Sequence, residues 1–315
     1  MPFSAAILSP EQTAQALPYG ALAREIEALL QDASVAVPPR IVQPLHGGGS
    51  LFVMPAADAK VAITKLITFI AGNASRGLPT IQGDIVVFDV QTGQRVALLD
   101  GPTVTARRTA AVSLLAAQKL AADKNGPLLI VGAGVQGRAH LEAFRDGLGV
   151  QKAYIASRNP ASADALVAHA QTLGMTASRV DDPNATLAEC PLVVSTTPAQ
   201  QVVLTAQPRD DAFVTAVGAF TPRMVEWSAQ VCQHLARTGT LVVDTRDADH
   251  EAGDLLQAGI DVSALPTLAD VVGQTASWQN AHRPVGGPVF FKSCGWGGWD
   301  LAAARCLAHT RALLN

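Results

Sequence analysis

The feature that most constrains the fold of this chain is a glycine-rich loop between a short apolar segment and a helix-like one. The loop follows the apolar residues 128–131 and reads Gly132, Ala133, Gly134, Val135, Gln136 and Gly137. In such a loop the first glycine permits a tight turn, the second lets a ligand approach the backbone, and the third lets the helix pack closely on the strand. Phosphate groups are favoured at the N-terminus of the helix that follows. The loop therefore predicts a dinucleotide site lined by these residues; a purely structural turn is the alternative.

The segments around the loop predict how the rest of the chain is organised. After residue 126, short apolar runs alternate with helix-like runs, which is typical of a parallel, doubly wound sheet. Residues 40–99 indicate strands and hairpins separated by glycine turns. A last helix, from about Leu301 to Leu314, would return to the first lobe. We therefore expect an α/β chain with a Rossmann domain over residues 123–290, a first domain over 1–122 and a C-terminal segment over 291–315.

The end of the strand after the glycine loop predicts the type of cofactor. Ser157, Arg158 and Asn159 stand where an NAD-preferring enzyme usually carries an acidic residue for the ribose hydroxyl. A small hydroxyl followed by a guanidinium leaves room for a 2′-phosphate and supplies a cation to bind it. These residues favour NADPH over NADH, and the alternative is that Arg158 is an ordinary solvated charge.

Composition and charge exclude several classes of function. The chain has 23 basic and 26 acidic side chains and a formal net charge of -3, so it offers no electrostatic surface for nucleic acid or for an anionic membrane. Its four cysteines and scattered histidines lack metal-ligand spacing, which predicts that no metal is bound. With 49% hydrophobic and 16% charged residues, much apolar surface has to be covered, and an oligomer interface would cover it. The absence of a signal-peptide pattern predicts a cytoplasmic protein.

Several spaced segments resemble one known family along nearly the whole chain. They are Leu51-Phe52-Val53-Met54-Pro55, Thr64-Lys65-Leu66, Gly77-Leu78-Pro79-Thr80, Thr105-Ala106-Arg107-Arg108-Thr109, the glycine loop, Ser195-Thr196-Thr197, Ala216-Val217-Gly218 and Phe291-Lys292-Ser293. In this order they are similar to the ornithine cyclodeaminase and mu-crystallin superfamily. The resemblance implies a Rossmann domain inserted into an α+β domain for substrate binding and dimerisation, with a homodimer as the basic unit. It also implies hydride transfer between a nicotinamide ring and the α-carbon of an amino or imino acid.

The resemblance also implies which residues bind the substrate. It maps the carboxylate-binding arginines to Arg40 and Arg108 and the active-site lysine to Lys65. It places Met54 and Thr80 beside the substrate. The chemistry of these residue types agrees, because a guanidinium binds a carboxylate through two parallel hydrogen bonds. A lysine in an apolar strand has an easily lowered pKa and can give a proton to an imine.

For three of these residues a structural role is the alternative. Lys65 could be a charge that protects an edge strand. Arg108 could be an ordinary charge on a helix surface, and Arg107 beside it could be confused with it. The hydroxyl of Thr80 could bind its own backbone in a turn.

Further residues are predicted to contact the cofactor. Ser195, Thr196 and Thr197 end a strand at the carboxyl edge of the sheet, where open α/β folds bind ligands. Val217 and Gly218 belong to the segments that carry the resemblance, and Lys292 follows the apolar residues Val289-Phe290-Phe291, from which we expect it to approach the nicotinamide ring or the domain junction. Asp244 either caps the following helix or contacts the cofactor.

Two positions depart from the cyclodeaminase pattern. Phe220 stands where those enzymes carry an aspartate, with Pro222 and Glu226 keeping the register, and Phe52 replaces a second acidic residue. Apolar rings neither bind an ammonium as a carboxylate does nor deprotonate it. A site poor in carboxylates suits a substrate that is already an imine, so we expect NADPH-dependent reduction of Δ1-pyrroline-2-carboxylate to proline or of Δ1-piperideine-2-carboxylate to pipecolate. The alternatives are an ornithine cyclodeaminase, an NADP-linked alanine- or opine-type dehydrogenase, and a mu-crystallin-like binding protein without catalysis.

Overall fold

The structure, a computed structural model, describes residues 6–198, 200–280 and 287–311. Contacts divide the chain into two compact units: unit 1 is Met1–Arg108 with Trp296–Asn315, and unit 2 is Thr109–Gly295. The chain thus returns to unit 1 at its C-terminal end. The domain limits proposed from the sequence, 1–122, 123–290 and 291–315, stay a prediction.

The described residues form strands, α-helices and short 3₁₀ helices. The strands are β1 (Ala6–Ile7), β2 (Ile41–Pro44), β3 (Ser50–Ala57), β4 (Val61–Phe69), β5 (Ile81–Asp89), β6 (Arg95–Asp100), β7 (Leu128–Val131), β8 (Lys152–Ala156), β9 (Thr176–Arg179), β10 (Leu192–Ser195), β11 (Phe213–Ala216), β12 (Thr240–Val243) and β13 (Val289–Lys292). The helices are α1 (Pro10–Ala16), α2 (Tyr19–Leu30), α3 (Gly101–Leu120), α4 (Val135–Leu148), α5 (Pro160–Thr172), α6 (Pro183–Thr186), α7 (Ala229–Thr238), α8 (Gly253–Gln257), α9 (Leu268–Gly273), α10 (Ala276–Asn280) and α11 (Gly297–Arg311). The 3₁₀ helices span Ala71–Arg76, Leu187–Glu189, Arg246–His250 and Val262–Ala264.

Unit 1 is built on a six-stranded sheet in the order β1-β6-β5-β4-β3-β2. Strands β2 to β6 run antiparallel to their neighbours, and β1 pairs with β6 in parallel. Along β4 the side chains of Val61, Ile63 and Lys65 are buried, while those between them are less buried, as in a sheet with one covered face. Helix α11 contacts β3 and β4. Lys65 therefore lies on the covered face of the sheet.

The start of α3 is packed closely against the first residues of β5. A Cβ on Gly101 would lie 2.6 Å from the carbonyl oxygen of Gly83, so only glycine allows this close approach. Because α3 begins at this point, its first two turns, which carry Thr105 and Arg108, belong to the same unit as β4.

Unit 2 contains a seven-stranded sheet in the order β12-β13-β11-β10-β7-β8-β9, in which all neighbouring strands are parallel. All residues of β7, β10, β11 and β12 are buried, as expected for strands covered on both faces. The strand order reverses between β7 and β10, and open α/β sheets bind ligands at such a point. The predicted doubly wound Rossmann sheet is confirmed. The sequence analysis did not identify β13, which lies between β11 and β12.

Among the described residues, no helix is both long enough and apolar enough to span a membrane. In the same part of the chain, no group of three or more His, Cys, Asp or Glu side chains is arranged to hold a metal ion.

Candidate active site

Lys65 is buried on β4 and points at two polar side chains of unit 1. Its Nζ donates to Thr105 Oγ1 at 2.6 Å and to Asp300 Oδ1 at 3.1 Å. Strand β4 lies between β3 and β5, which excludes the edge-strand role considered for this lysine. Burial lowers the pKa of Lys65; the Asp300 carboxylate opposes this effect, and the Arg108 guanidinium adds to it. The ammonium therefore releases its proton more readily than that of a solvated lysine.

Two neighbouring arginines of helix α3 point in different directions. Arg108 is buried, and its Nε lies 3.5 Å from Asp300 Oδ1. Arg107 points elsewhere: its Nε donates to the carbonyl oxygen of Leu17 at 2.7 Å, and its guanidinium carbon lies 3.8 Å from the ring centroid of Tyr19. Arg108 is thus not a surface charge, and it is the arginine that shares a carboxylate with the lysine.

Asp300 is a site residue that the sequence analysis missed. It lies in the first turn of α11, is fully buried and is 235 positions from Lys65 along the chain. An acidic residue at a helix start is usually explained by the helix dipole, so it attracts no attention. The available signal was a lone carboxylate in an apolar stretch, which requires a buried partner. The expectation of a site poor in carboxylates needs correction, because Asp300 contacts both Lys65 and Arg108.

Two half-buried side chains of β3 lie on the same face of the sheet as Lys65. Met54 is paired directly opposite Lys65 in the β3–β4 register, and Phe52 lies two positions away along β3. Directly opposed residues and residues two apart on one strand share a face. These side chains give the lysine apolar neighbours of a kind that a hydrocarbon ring contacts.

Thr80 and Arg40 lie at other places in unit 1. Thr80 is half-buried before β5, and its carbonyl oxygen accepts the N–H of Ile70 at 2.9 Å. Arg40 is exposed directly before β2, an edge strand of the sheet. The assignment of both residues to the substrate stays a prediction.

The glycine loop of unit 2 has the backbone shape that a dinucleotide requires. Gly132 has a φ of +111°, and a Cβ there would lie 2.7 Å from Thr196 Oγ1. A Cβ on Gly137 would overlap the carbonyl oxygen of Gly132. Gly134 is the N-cap of α4 and has open space around its Cβ position, and Val135 beside it is exposed. The loop therefore leaves room at the positive end of α4, where such loops bind a pyrophosphate.

The loops after β10 and β11 are organised by Glu226, which the sequence analysis used only as a register mark. Its buried carboxylate accepts hydrogen bonds from Ser195 Oγ at 3.0 Å, from Thr197 N at 2.6 Å and Oγ1 at 2.9 Å, and from Gly218 N at 2.8 Å. Thr196 points the other way and donates to a carbonyl oxygen of the glycine loop at 3.0 Å. Of the three hydroxyls, that of Thr196 therefore lies against the predicted phosphate loop, while the other two hold Glu226.

Lys292 is enclosed within unit 2. Its Nζ lies 2.8 Å from Asp254 Oδ2, and Asp254 Oδ1 accepts the N–H groups of Glu226 at 2.6 Å and Trp227 at 3.0 Å. Burial alone would lower the pKa of Lys292, but the Asp254 carboxylate and other nearby acidic groups outweigh it, and the pKa is raised. These contacts favour a supporting role for Lys292 behind the Glu226 segment. Its contact with the cofactor, like that of the buried Val217, stays a prediction.

The residues after β8 differ in what their side chains do. Asn159 Oδ1 accepts the N–H of Ala161 at 3.0 Å and so caps α5. Ser157 is half-buried and Arg158 is exposed. A hydroxyl and a guanidinium are therefore presented at the strand end, where a Rossmann fold binds the adenosine ribose.

Asp244 holds the turn that leads out of unit 2. Its buried carboxylate accepts hydrogen bonds from Ser293 Oγ at 2.9 Å, Cys294 N at 2.9 Å and Gly295 N at 2.8 Å. Burial raises the pKa of Asp244, although these donors oppose the rise. These donors assign Asp244 a structural contact with the turn at 293–295.

Comparison with known proteins agrees with this geometry. Residues 6–310 match the model of the ornithine cyclodeaminase/mu-crystallin family. The chain is 34% identical over 307 residues to Δ1-pyrroline-2-carboxylate reductase 1 of Burkholderia multivorans, covering 95% of this chain and 94% of that protein. It is 35% identical over 305 residues to the Δ1-pyrroline-2-carboxylate/Δ1-piperideine-2-carboxylate reductase of Azospirillum brasilense, with 95% and 94% of the two chains covered.

Solved structures share the fold. An archaeal alanine dehydrogenase dimer with bound NAD matches with a TM-score of 0.83 at 22% identity, covering 99% of this chain and 98% of that one. The Δ1-pyrroline-2-carboxylate reductase of Thermococcus litoralis, in complex with NADH and L-proline, matches with a TM-score of 0.79 at 23% identity, covering 98% and 96%. From the family model and the two sequence relatives together, the chain belongs to the ornithine cyclodeaminase/mu-crystallin family.

Proposed function

We propose that this chain is an NADPH-dependent reductase of cyclic ketimine carboxylates, which converts Δ1-pyrroline-2-carboxylate to proline and Δ1-piperideine-2-carboxylate to pipecolate. The observation that carries the proposal is the buried contact of Lys65 and Arg108 with a shared carboxylate beside apolar side chains. The two sequence relatives described above bear the names of such reductases. A cyclic imino acid needs an anchor for its carboxylate, a proton for its nitrogen and a hydride for its carbon.

The residues of unit 1 supply two of these three requirements. Arg108 binds the substrate carboxylate, because the terminal nitrogens of a guanidinium form a fork that matches a carboxylate, while its Nε lies 3.5 Å from Asp300 Oδ1. Lys65 gives its proton to the imine nitrogen as the C=N bond is reduced. The nicotinamide cofactor supplies the hydride when bound. Carbon and nitrogen then each gain one hydrogen, and Lys65 regains its proton from solvent before the next turnover.

The proposed preference for NADPH rests on the strand end after β8. Ser157 and the exposed Arg158 stand there without an acidic side chain that would repel a 2′-phosphate. The guanidinium forms charge-assisted hydrogen bonds with the phosphate, which a ribose hydroxyl alone cannot match.

The proposal includes a homodimer joined through unit 1. On the face of its sheet opposite Lys65, the side chains of Ile41, Val53 and Leu66 follow one another in register across three strands. Ile41 is 59% exposed and Leu66 is 40% exposed. A row of exposed apolar side chains on a sheet is typical of a surface that a second copy covers.

Ornithine cyclodeamination is the second candidate, and the observation that favours it is the carboxylate of Asp300 beside Lys65. A carboxylate beside Lys65 is what amine chemistry would need, but this one already contacts Lys65 and Arg108. Phe220, where the cyclodeaminases carry an aspartate, is 51% exposed after β11 and offers no charge. Reduction of an imine therefore fits the residues better.

The test is NADPH oxidation by the purified full-length chain with each of the two imino acids, with Lys65→Met as the control for the proton donor. Ornithine with NAD is assayed in parallel for ammonia. We expect NADPH oxidation with the imines, loss of this activity in the Lys65→Met variant, and no ammonia from ornithine. Ammonia and proline from ornithine, with both imines inert, would replace the reductase by the cyclodeaminase.

A further inference from the structure

We infer that Asp300 is a positioning residue for the reduction, because its one carboxylate holds the proton donor Lys65 and the anchor Arg108 in a fixed arrangement. This inference rests on the proposed function for the roles of those two side chains. Nothing in the reaction itself requires a third residue, so the role of Asp300 follows from what its carboxylate contacts.

The Asp300 carboxylate contacts both cations. Oδ1 lies 3.1 Å from Lys65 Nζ and 3.5 Å from Arg108 Nε, and Oδ2 lies 3.4 Å from Lys65 Nζ. The structural carboxylate of Asp244 behaves differently, since it accepts backbone N–H groups of a turn. Asp300 thus organises side chains of the proposed site, whereas Asp244 organises the backbone.

The arrangement also directs the lysine. An ammonium has three N–H donors. One is used by Thr105 Oγ1, and we take a second to be shared between the two oxygens of Asp300, at 3.1 Å and 3.4 Å. Thr105 Oγ1 is itself fixed by donating to the carbonyl oxygen of Gly101 at 2.9 Å. The remaining donor is the one that reaches the imine nitrogen. Because both partners of Lys65 are fixed, the direction of this third donor is fixed as well.

The charges balance for one anionic substrate. Lys65, Arg108 and Asp300 together carry one net positive charge, which matches a single substrate carboxylate. Without Asp300 the two cations would face each other in a buried place, and the lysine would lose its proton first because arginine stays charged. The carboxylate therefore keeps the ammonium protonated until the imine takes the proton.

The other elements around Lys65 bring no competing charge to this face. Strand β3 has no charged residue. In β5, Asp84 is paired with Leu66 and so lies on the opposite face of the sheet. On α11 the next charged residue, Arg305, pairs with Asp58. Asp300 and Arg108 are thus the charged groups that set the titration of Lys65.

The first experiment reads Lys65 directly and needs no turnover. The chain has six lysines, so uniform 15N-lysine labelling gives few ammonium signals, and the signal missing from Lys65→Met is that of Lys65. In Asp300→Asn we expect the titration midpoint of the Lys65 ammonium to move to lower pH by about one pH unit or more, since a nearby opposite charge shifts a pKa by about one to three units. Asp300→Glu should restore most of the midpoint.

Asp58→Asn is the matched control, because it removes a different ion pair of α11, the one between Arg305 and Asp58, which directly follows β3. It should lower the melting temperature without moving the Lys65 midpoint. An unchanged midpoint in Asp300→Asn, with a melting temperature lowered as in the control, would overturn the inference and leave Asp300 as a merely structural residue.

The second experiment measures kcat/KM for Δ1-pyrroline-2-carboxylate against pH. The rate falls as pH rises through the pKa of the proton donor, and this fall should begin at lower pH in Asp300→Asn. A wild-type chain inactive on both imines, combined with a shifted Lys65 midpoint, would sink the proposed function but support the link between Asp300 and Lys65. An active wild type whose pH profile is identical to that of Asp300→Asn would refute the role of Asp300 and leave the proposed function intact.

Discussion

Acid should destabilise unit 2 through His140, a buried residue of the helix that follows the glycine loop. Its Nδ1 lies 2.8 Å from the carbonyl oxygen of Gln136, and its Nε2 lies 2.9 Å from Ser113 Oγ, which lies 3.0 Å from Thr215 Oγ1. Because a carbonyl only accepts, we assign the ring proton to Nδ1, and Nε2 then accepts from Ser113. A second proton on Nε2 would reverse that hydrogen bond, so that Ser113 Oγ would have to accept, and it would bury a charge.

The magnitude follows from the pKa. Burial lowers the pKa of His140 from 6.5 to about 4, and the hydrogen bond to Gln136 only partly opposes this. Between these values the unfolded chain binds a proton that the folded chain does not, so the contribution is complete above about pH 6.5 and is lost as pH falls toward 4. The gap of about 2.5 pH units, at about 1.36 kcal/mol each, amounts to about 3 kcal/mol of the free energy of unfolding.

Urea unfolding followed by circular dichroism, from about pH 7.5 to about pH 4.5, measures this loss. Other acidic groups titrate in the same window, so the wild type is compared with His140→Gln, which cannot take up the proton. The free energy of unfolding should fall more steeply with acid in the wild type. Parallel curves for the two proteins would show that His140 is already charged in the folded state and that its burial has been misjudged.

Three further predictions concern the cofactor loop, the cofactor type and the dimer. Gly134→Ala, whose new methyl group lies in open space, should keep the fold but weaken NADPH binding about tenfold or more in a fluorescence titration, because one charge-assisted contact is worth about 1.5–3 kcal/mol. Gly137→Ala should weaken binding and also lower the melting temperature; equal melting temperatures of the two variants would refute the close packing of Gly137. Arg158→Ala should raise KM for NADPH about tenfold or more and leave KM for NADH nearly unchanged; an equal rise for both would refute the phosphate contact. Leu66→Glu should give a monomer in light scattering, and an unaltered dimer would place the interface elsewhere.

Local patterns predicted the parts of the fold that depend on neighbouring residues. The apolar run 128–131 coincides with β7, because a continuous apolar run is terminated at each end by a turn signal. The glycine loop was predictable from the spacing of its three glycines, although the neighbour that restricts Gly132 is Thr196, 64 positions away. The order of the strands was not, and β13, inserted between β11 and β12, illustrates this.

The sequence predicted only those residues of the candidate site that can be recognised one position at a time. Lys65 stood out as a charge in an apolar strand, and the resemblance pointed to Arg108. Asp300 was missed because Lys65 lies 235 positions away, and Glu226 because Ser195 and Thr197 lie 31 and 29 positions away; no local pattern reports such pairings. A lone buried charge in an apolar segment is the general sign to look for, because it must be matched by a partner from elsewhere in the chain.

The two missed carboxylates bear on the choice between reduction and deamination. Each is fully buried and engaged, Asp300 with Lys65 and Arg108 and Glu226 with the loops after β10 and β11. A deaminating enzyme needs a carboxylate that can take a proton from a substrate ammonium, and to do so one of these would have to leave its partners. Releasing Asp300 would leave two cations unpaired, and releasing Glu226 would leave buried donors unsatisfied, each at a cost of several kcal/mol. Both carboxylates are therefore already engaged in holding other groups. In the proposed site the group that exchanges a proton with the substrate is then Lys65, which suits an imine that accepts one.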